Sequence, residues 1–279
     1  MDLKIVCAII YLTVVFLVCY YLYSRQYEHF INLTNRSDEY SDTNSYDIVL
    51  ARYNEDISWI RKKPFSEFNI ICYNKGSDDP ERECLSPTCN IINLKNVGRQ
   101  SHTYLYHIIK NYNKLSPVTI FLPASCNDPH KMSLVYGVIA KVLKTKTTVL
   151  RGDTGTYPDD LYDYTIDNWT SSNAKNKLAN PESKLEPSPI RPFGKWFEQN
   201  FGDIKVPIFC HYDIFAVAKE HILQHPVSKY QSLIKYLENS SNPECGHYME
   251  RSWGAIFYPY PDSCVYDDYS PTNSVLVDV

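Results

Sequence analysis

Residues 96 to 125, NVGRQSHTYLYHIIKNYNKLSPVTIFLPAS, limit the possible folds of this 279-residue chain more than any other stretch. After Asn96-Val97-Gly98, apolar side chains recur at Leu105, Ile108, Ile109 and Tyr112, the i, i+3, i+4, i+7 spacing of a helix with one buried face. Pro117 ends any such helix. Val118-Thr119-Ile120-Phe121-Leu122 follows as a short β-rich run broken only by Thr119, which suits a strand covered on both faces. The expected fold class is therefore α/β, with βαβ units around a mostly parallel sheet. Such sheets bind ligands at the carboxyl ends of their strands and at helix N-termini. Two places follow. At Asn96 to Arg99, open backbone N–H groups and a guanidinium can meet an anion such as a diphosphate. The other place is the loop from Pro123 to His130. The plainer alternative makes Asn96 and Gly98 a simple turn and Arg99 a solvated surface residue.

An apolar fraction of 44% supports a real core, in one large or two small domains. The net charge of −4 leaves no basic surface of the kind nucleic acid requires, so that partner class is set aside. The 24 tyrosines suit carbohydrate or protein contacts, because each ring offers rigid apolar area together with a hydroxyl.

Ile5 to Tyr23 carries no charge and lies between Lys4 and Arg25, after a short tail at 1–4. It is long enough to span a bilayer. Ser24-Arg25-Gln26-Tyr27 offers no small-residue cleavage site, so residues 5–23 are expected to be an uncleaved transmembrane anchor. Lys4 against Arg25 and Arg36 gives no clear orientation by the positive-inside rule. Glycosylation sequons at Asn32, Asn35, Asn168 and Asn239 all follow the anchor, as in a single-pass type II protein whose C-terminal domain lies in the secretory lumen or outside. Seven of the nine cysteines also follow it. Cys84 with Cys89 could close a small loop, and Cys245 with Cys264 could bracket the last helix, in an oxidising compartment. No CxxC pair points to zinc.

Residues 24–45 are polar and acidic and read as a stalk. A domain over 46–258 then opens with a strand at Tyr46 to Tyr53, the polar loop Asn54-Glu55-Asp56 and a helix starting at Ile57. A second strand at Phe68 to Tyr73 ends in Asn74-Lys75-Gly76, and Ile91 to Leu94 forms a short strand. A helix over Leu134 to Leu143 and a strand near Thr147 to Leu150 come next. Residues 171–192, rich in Ser, Asn, Lys, Glu and Pro, read as a flexible loop, either a lid or a surface insertion. Helices are expected over Asp213 to His225 and Val227 to Leu237, and a short helix or turn over Tyr248 to Phe257. Residues 259–279 form a Pro- and Tyr-rich tail.

Together, DIVLARYNEDISWI, FNIICYNKGSDD, NVGRQSHTYLYHIIKNY and VTIFLPAS resemble the first half of a glycosyltransferase of the A-type fold. The chain is more similar still to an uncharacterised glycosyltransferase-like family of unknown function found in fungi and large DNA viruses. CHYDIFAVAKEHILQHPVSKYQSLIKYL and YMERSWGAIF extend that resemblance from about Asp47 to Phe257, with a gap near 145–205. In a virus, the membrane would be viral or the host's.

This resemblance implies a nucleotide-sugar site. Arg52, Asn54, Glu55 and Asp56 would lie around the base and ribose, Asn74 and Lys75 beside them, and Arg99 near the diphosphate. Where such enzymes carry an Asp-x-Asp holding Mn²⁺ or Mg²⁺, this chain has Pro123-Ala124-Ser125, and the nearest ligands are Asp128 and His130. Either the metal is held differently, or cationic side chains replace it, or transfer has been lost.

An inverting transfer needs a carboxylate as general base on the acceptor hydroxyl. Glu250 and Asp213 are the catalytic candidates, each an acid among apolar residues near a helix N-terminus. A Glu250–Arg251 pair and an Asp213 helix cap are their structural alternatives. His102 and His107 read as ordinary core or surface histidines. The chain lacks GxSxG and HExxH, so a hydrolase has little support. The leading expectation is sugar transfer from a nucleotide donor to a glycan or protein acceptor. The competing one is a membrane glycoprotein that keeps the fold for binding.

Overall fold

The computed structural model describes residues 4, 7, 11–18, 20–21, 46–78, 80, 84, 89–167, 184–210 and 212–267. Residues 11–18 are helical and leave Tyr11, Leu12 and Phe16 more than half exposed. Among the described residues no helix is long and apolar enough to cross a membrane. Residues 5–6, 8–10, 19 and 22–23 of the expected anchor, the stalk, and the sequons at Asn32, Asn35 and Asn168 lie outside the described residues.

The domain begins with β1 (Tyr46–Arg52), β2 (Asn69–Asn74) and β3 (Cys89–Asn93). Then come α1 (Arg99–Asn111), β4 (Val118–Pro123), α2 (Pro129–Thr145) and β5 (Leu150–Asp153). After residue 184 follow α3 (Phe193–Phe201), β6 (Phe209–Cys210), β7 (Phe215–Ala218), α4 (Lys219–Leu223) and α5 (Val227–Ile234). The last elements are α6 (Glu244–Ile256) and β8 (Val265–Asp267). The main sheet has the order β3-β2-β1-β4-β7, with its first four strands parallel and β7 antiparallel to β4. A small sheet, β6-β5-β8, is joined to it by a bridge between Val149 and Ala216. The chain is thus α/β with a mainly parallel central sheet.

β1 is buried at every position, so its alternating side chains supply two cores. Ile48 and Leu50 join Ile70, Cys72, Ile120, Leu122 and Ala216 against Val135, Ile139 and Val142 of α2. Val49 and Ala51 join Tyr73, Phe121, Phe215 and Val217 against Leu105 and Ile108 of α1 and Trp253 and Ile256 of α6. Each fully buried large side chain contributes about 1.5–3 kcal/mol relative to exposure. The helix and strand expected between residues 99 and 122 are both present. Strand order reverses between β1 and β4, the place where sheets of this kind take ligands at the carboxyl ends of their strands.

Two expected helices are corrected. The helix at Asp213 to His225 is instead strand β7 followed by the short α4; Phe215 to Ala218 are buried, and residues 215–218 pair with β4. The helix starting at Ile57 is one 3₁₀ turn, Ser58–Arg61. The tail is ordered through Asp267, because β8 pairs in parallel with β5 and Tyr260 and Cys264 are buried. Of the loop at 171–192, residues 184–192 are tied down. Fully buried Glu244 accepts N–H bonds from Ile166 (2.9 Å) and Ser188 (2.7 Å), and its carboxylate also takes Arg191 Nε (2.9 Å) and the Tyr248 hydroxyl (2.8 Å). Residues 171–183 lie outside the described residues.

Cys84 and Cys89 form a disulfide, whereas Cys245 and Cys264 are buried thiols.

Candidate functional site

Backbone strain marks the carboxyl edge of the sheet. Asn54 (φ 68°), Arg99 (φ 52°), Tyr212 (φ 63°) and Asp213 (φ 54°) all occupy the left-handed region that non-glycine residues avoid. Each costs on the order of 1–3 kcal/mol unless its surroundings hold it, and such residues collect at binding sites. Here the holders can be named. Asn54 Oδ1 accepts the Asp78 N–H at 3.1 Å, and Gly76 makes room for it, since a Cβ there would lie 1.8 Å from Oδ1. The Arg99 carbonyl accepts Lys75 Nζ at 2.6 Å. Tyr212 donates its N–H to Glu250 Oε1 at 2.9 Å, and the Asp213 carbonyl accepts the Tyr104 hydroxyl at 3.0 Å.

The residues expected around a base and ribose mostly brace one another. Buried Arg52 donates from Nη1 to Asn74 Oδ1 (2.8 Å) and from Nε to the Glu55 carbonyl (2.9 Å). Asn74 Nδ2 donates on to Asn93 Oδ1 at 3.2 Å. Lys75 is buried, donates to the carbonyls of Val97 and Arg99 at 2.6 Å each, and is pulled down to about 7 by that burial. Exposed Asp56 accepts the Ser58 N–H at 2.8 Å. Glu55 accepts the Tyr53 N–H, and burial raises its pKa against the pull of Arg52 and Lys131. Of this set, Asn54, Glu55 and Asp56 keep solvent access, while Arg52, Asn74 and Lys75 form the frame beneath.

At the end of β4, Lys131 Nζ donates to Ser125 Oγ at 3.1 Å. Asp128 is exposed, and its Oδ1 caps α2 by accepting the His130 N–H at 3.0 Å. The His130 ring lies edge-on to Tyr212 at 5.7 Å. Mn²⁺ or Mg²⁺ needs several oxygen ligands. Among the described residues no group of three His, Cys, Asp or Glu could hold a metal. Asp128 and His130 are two of the several ligands such a cation would need.

Arg99, Asp213 and Glu250 do come together. Asp213 is fully buried. Its carboxylate accepts Gln100 Nε2 at 2.6 Å through Oδ2 and Trp253 Nε1 through Oδ1. Burial, then the Glu250 charge, pushes its pKa up to about 7, opposed by these two donors and by Arg99. With both oxygens bonded and no exposure, Asp213 orders the loop. Glu250 is half-buried, and among the described residues Oε2 accepts no hydrogen bond. It is the one of the two acids open to a ligand.

Arg99 Nη1 donates to Asn242 Oδ1 at 3.1 Å, and its aliphatic stem passes Gly246. Burial lowers its pKa, opposed by Glu250 and Asp213. Gln100, Tyr212, Asn242 and Trp253 escaped sequence reasoning. Trp253 sits three residues after Glu250 on α6, a spacing that helical periodicity exposes, but nothing in the sequence marks Asn242.

The fold and the polar cluster at its carboxyl edge define an α/β protein with a candidate ligand crevice at the switch point of its sheet. The chain matches, over residues 48–270, the family described as a protein of unknown function (DUF3431), and it belongs to that family. No curated protein matches it.

Proposed function

We propose that this protein transfers a glycosyl group from a nucleotide-sugar donor to a glycan or protein acceptor. The observation that carries this reading is the meeting of Arg99, at the start of α1, with accessible Glu250 on α6, above the strained Tyr212-Asp213 pair. Arg99 would bind the diphosphate, Glu250 would take the proton from the acceptor hydroxyl, and Asp213 would hold the Tyr212 loop over both. Asn54, Glu55 and Asp56 would face the nucleoside. The strand order, with its switch point at the same edge, supports a nucleotide ligand.

The charge-free run at 5–23 supports a bilayer anchor, and the Cys84–Cys89 disulfide and exposed Asn239 support a lumenal or external domain. A binding protein that keeps the fold without the reaction is the second reading. It is favoured by the engagement of Arg52, Asn74 and Lys75 in internal hydrogen bonds.

The test is calorimetric titration of the full-length, detergent-solubilised protein with UDP-, GDP- and CMP-sugars, followed by turnover of any donor bound. Glu250→Gln is expected to lower kcat by about 10²- to 10⁴-fold with donor affinity kept. Absence of donor binding to protein with an intact thermal transition would reject the transferase.

A further inference from the structure

Tyr212 occupies the left-handed region (φ 63°), yet its side chain is 42% exposed. Nearby in the chain, Phe209, Cys210, Ile214 and Phe215 are all buried in the cores. A left-handed backbone at the surface forms more readily with glycine or asparagine, which meet little steric resistance there. At Asp213 the same strain is offset by hydrogen bonds to Gln100, Trp253 and Tyr104. At Tyr212 the strained backbone sets a large aromatic ring at one fixed place on the surface.

That place is beside Glu250. The Tyr212 N–H donates to Glu250 Oε1 at 2.9 Å, and among the described residues Oε2 accepts no hydrogen bond. The Glu250–Arg251 pair is not formed among the described residues, and the Arg251 guanidinium lies 4.3 Å from the centroid of the Tyr164 ring. Glu250 thus keeps an oxygen for a ligand. The ring of exposed His130, in the first turn of α2, lies edge-on to the Tyr212 ring with centroids 5.7 Å apart. Among the described residues His130 is hydrogen-bonded through its backbone, to Asp128 and Ser133, and its two ring nitrogens remain for a ligand. A pyranose has a face of C–H bonds and a rim of hydroxyls. An aromatic ring covers the face, and polar groups at the edge of that ring bond the rim.

We propose that Tyr212 is the platform on which a sugar ring of the acceptor stacks, with His130 and Glu250 bonding its hydroxyls. The acceptor is accordingly a glycan and not a bare protein side chain. This rests on the transferase reading for what becomes of the sugar, though not for its binding.

The methyl β-glycosides of glucose, galactose, mannose and N-acetylglucosamine are added to the full-length protein in a sugar-free detergent, and binding is read by saturation-transfer NMR and titration. At least one is expected to bind. Tyr212→Phe, which keeps the ring, should bind it within about twofold of wild type, and Tyr212→Asn, which tolerates the left-handed backbone and lacks the ring, roughly tenfold more weakly. His130→Ala should weaken it several-fold. Thermal melts report the fold of each variant, and His130→Ala decides the matter should Tyr212→Asn fail to fold. No binding of any of the four glycosides, or binding unchanged in Tyr212→Asn, overturns the platform. Donor turnover with an unchanged acceptor KM in Tyr212→Asn removes the platform and leaves the transferase standing. Glycoside binding that is weakened in Tyr212→Asn, by a protein that turns over no donor, keeps the platform and removes the transferase.

Discussion

Gln100 Nε2 and Asp213 Oδ2 meet at 2.6 Å across 113 positions of sequence, joining the first turn of α1 to the loop before β7. Through that bond and the one from Trp253, a buried acid fixes the backbone whose neighbouring N–H holds Glu250.

Asp213 has a pKa of about 7 in the fold against an ordinary 3.8, so the folded protein holds this proton more tightly than the unfolded chain does. Its contribution to stability is fully present below about pH 4 and is lost as pH rises through about 7. Asp213→Asn keeps the shape and removes the titration. The Tm of the wild type minus that of Asp213→Asn should be largest near pH 4 and decline to a plateau above pH 7, as read by calorimetric scans. A difference independent of pH would show that Asp213 does not titrate in this window.

Lys75 gives the opposite slope. Burial lowers it from 10.5 to about 7, so the unfolded chain binds the extra proton in that interval. Its contribution is present above the unfolded value and is lost as pH falls through about 7. In urea titrations the stability of the wild type relative to Lys75→Met should grow between pH 7 and pH 10. Lys75→Met also leaves the Val97 and Arg99 carbonyls without their lysine donor, and donor affinity should fall with the loosened Arg99 turn.

Gly98 and Gly202 form a matched pair. Both have positive φ, at 59° and 70°, but a Cβ at Gly98 would lie 2.5 Å from Leu237 Cβ, whereas at Gly202 it meets nothing within 4 Å. Gly202→Ala should cost only backbone strain, about 1–3 kcal/mol. Gly98→Ala adds overpacking and should cost about 1–3 kcal/mol more. Chemical denaturation of the two variants measures the difference.

Gly246→Ala separates binding from stability. Alanine inside α6 should favour the helix by up to about 1 kcal/mol. Its Cβ, 3.2 Å from Arg99 Cδ, pushes the stem of that arginine by a few tenths of an ångström. The expected outcome is an unchanged or higher Tm with diphosphate affinity several-fold weaker.

Much of the sheet was legible because its strands are hydrophobic by themselves. β1 and β4 are largely apolar, and α1 carries a clear 3.6-residue period. β7 was not legible. FAVA within DIFAVAKEHIL fits a helical period as well as a strand, and the choice is made by pairing with β4, whose partners lie about a hundred residues earlier. The site shows the same division. Arg99 and Glu250 stand out as charges in apolar helices, but the roles of Arg52 and Lys75 depend on which carbonyls come within reach once the loops fold. Asn242 meets Arg99 across 143 positions, a contact no local pattern encodes.

Glu244 binds the backbone of Ile166 and Ser188 with the two oxygens of one carboxylate. One carboxylate therefore works as a clasp that holds two separate stretches of chain against α6, and its loss would release both at once.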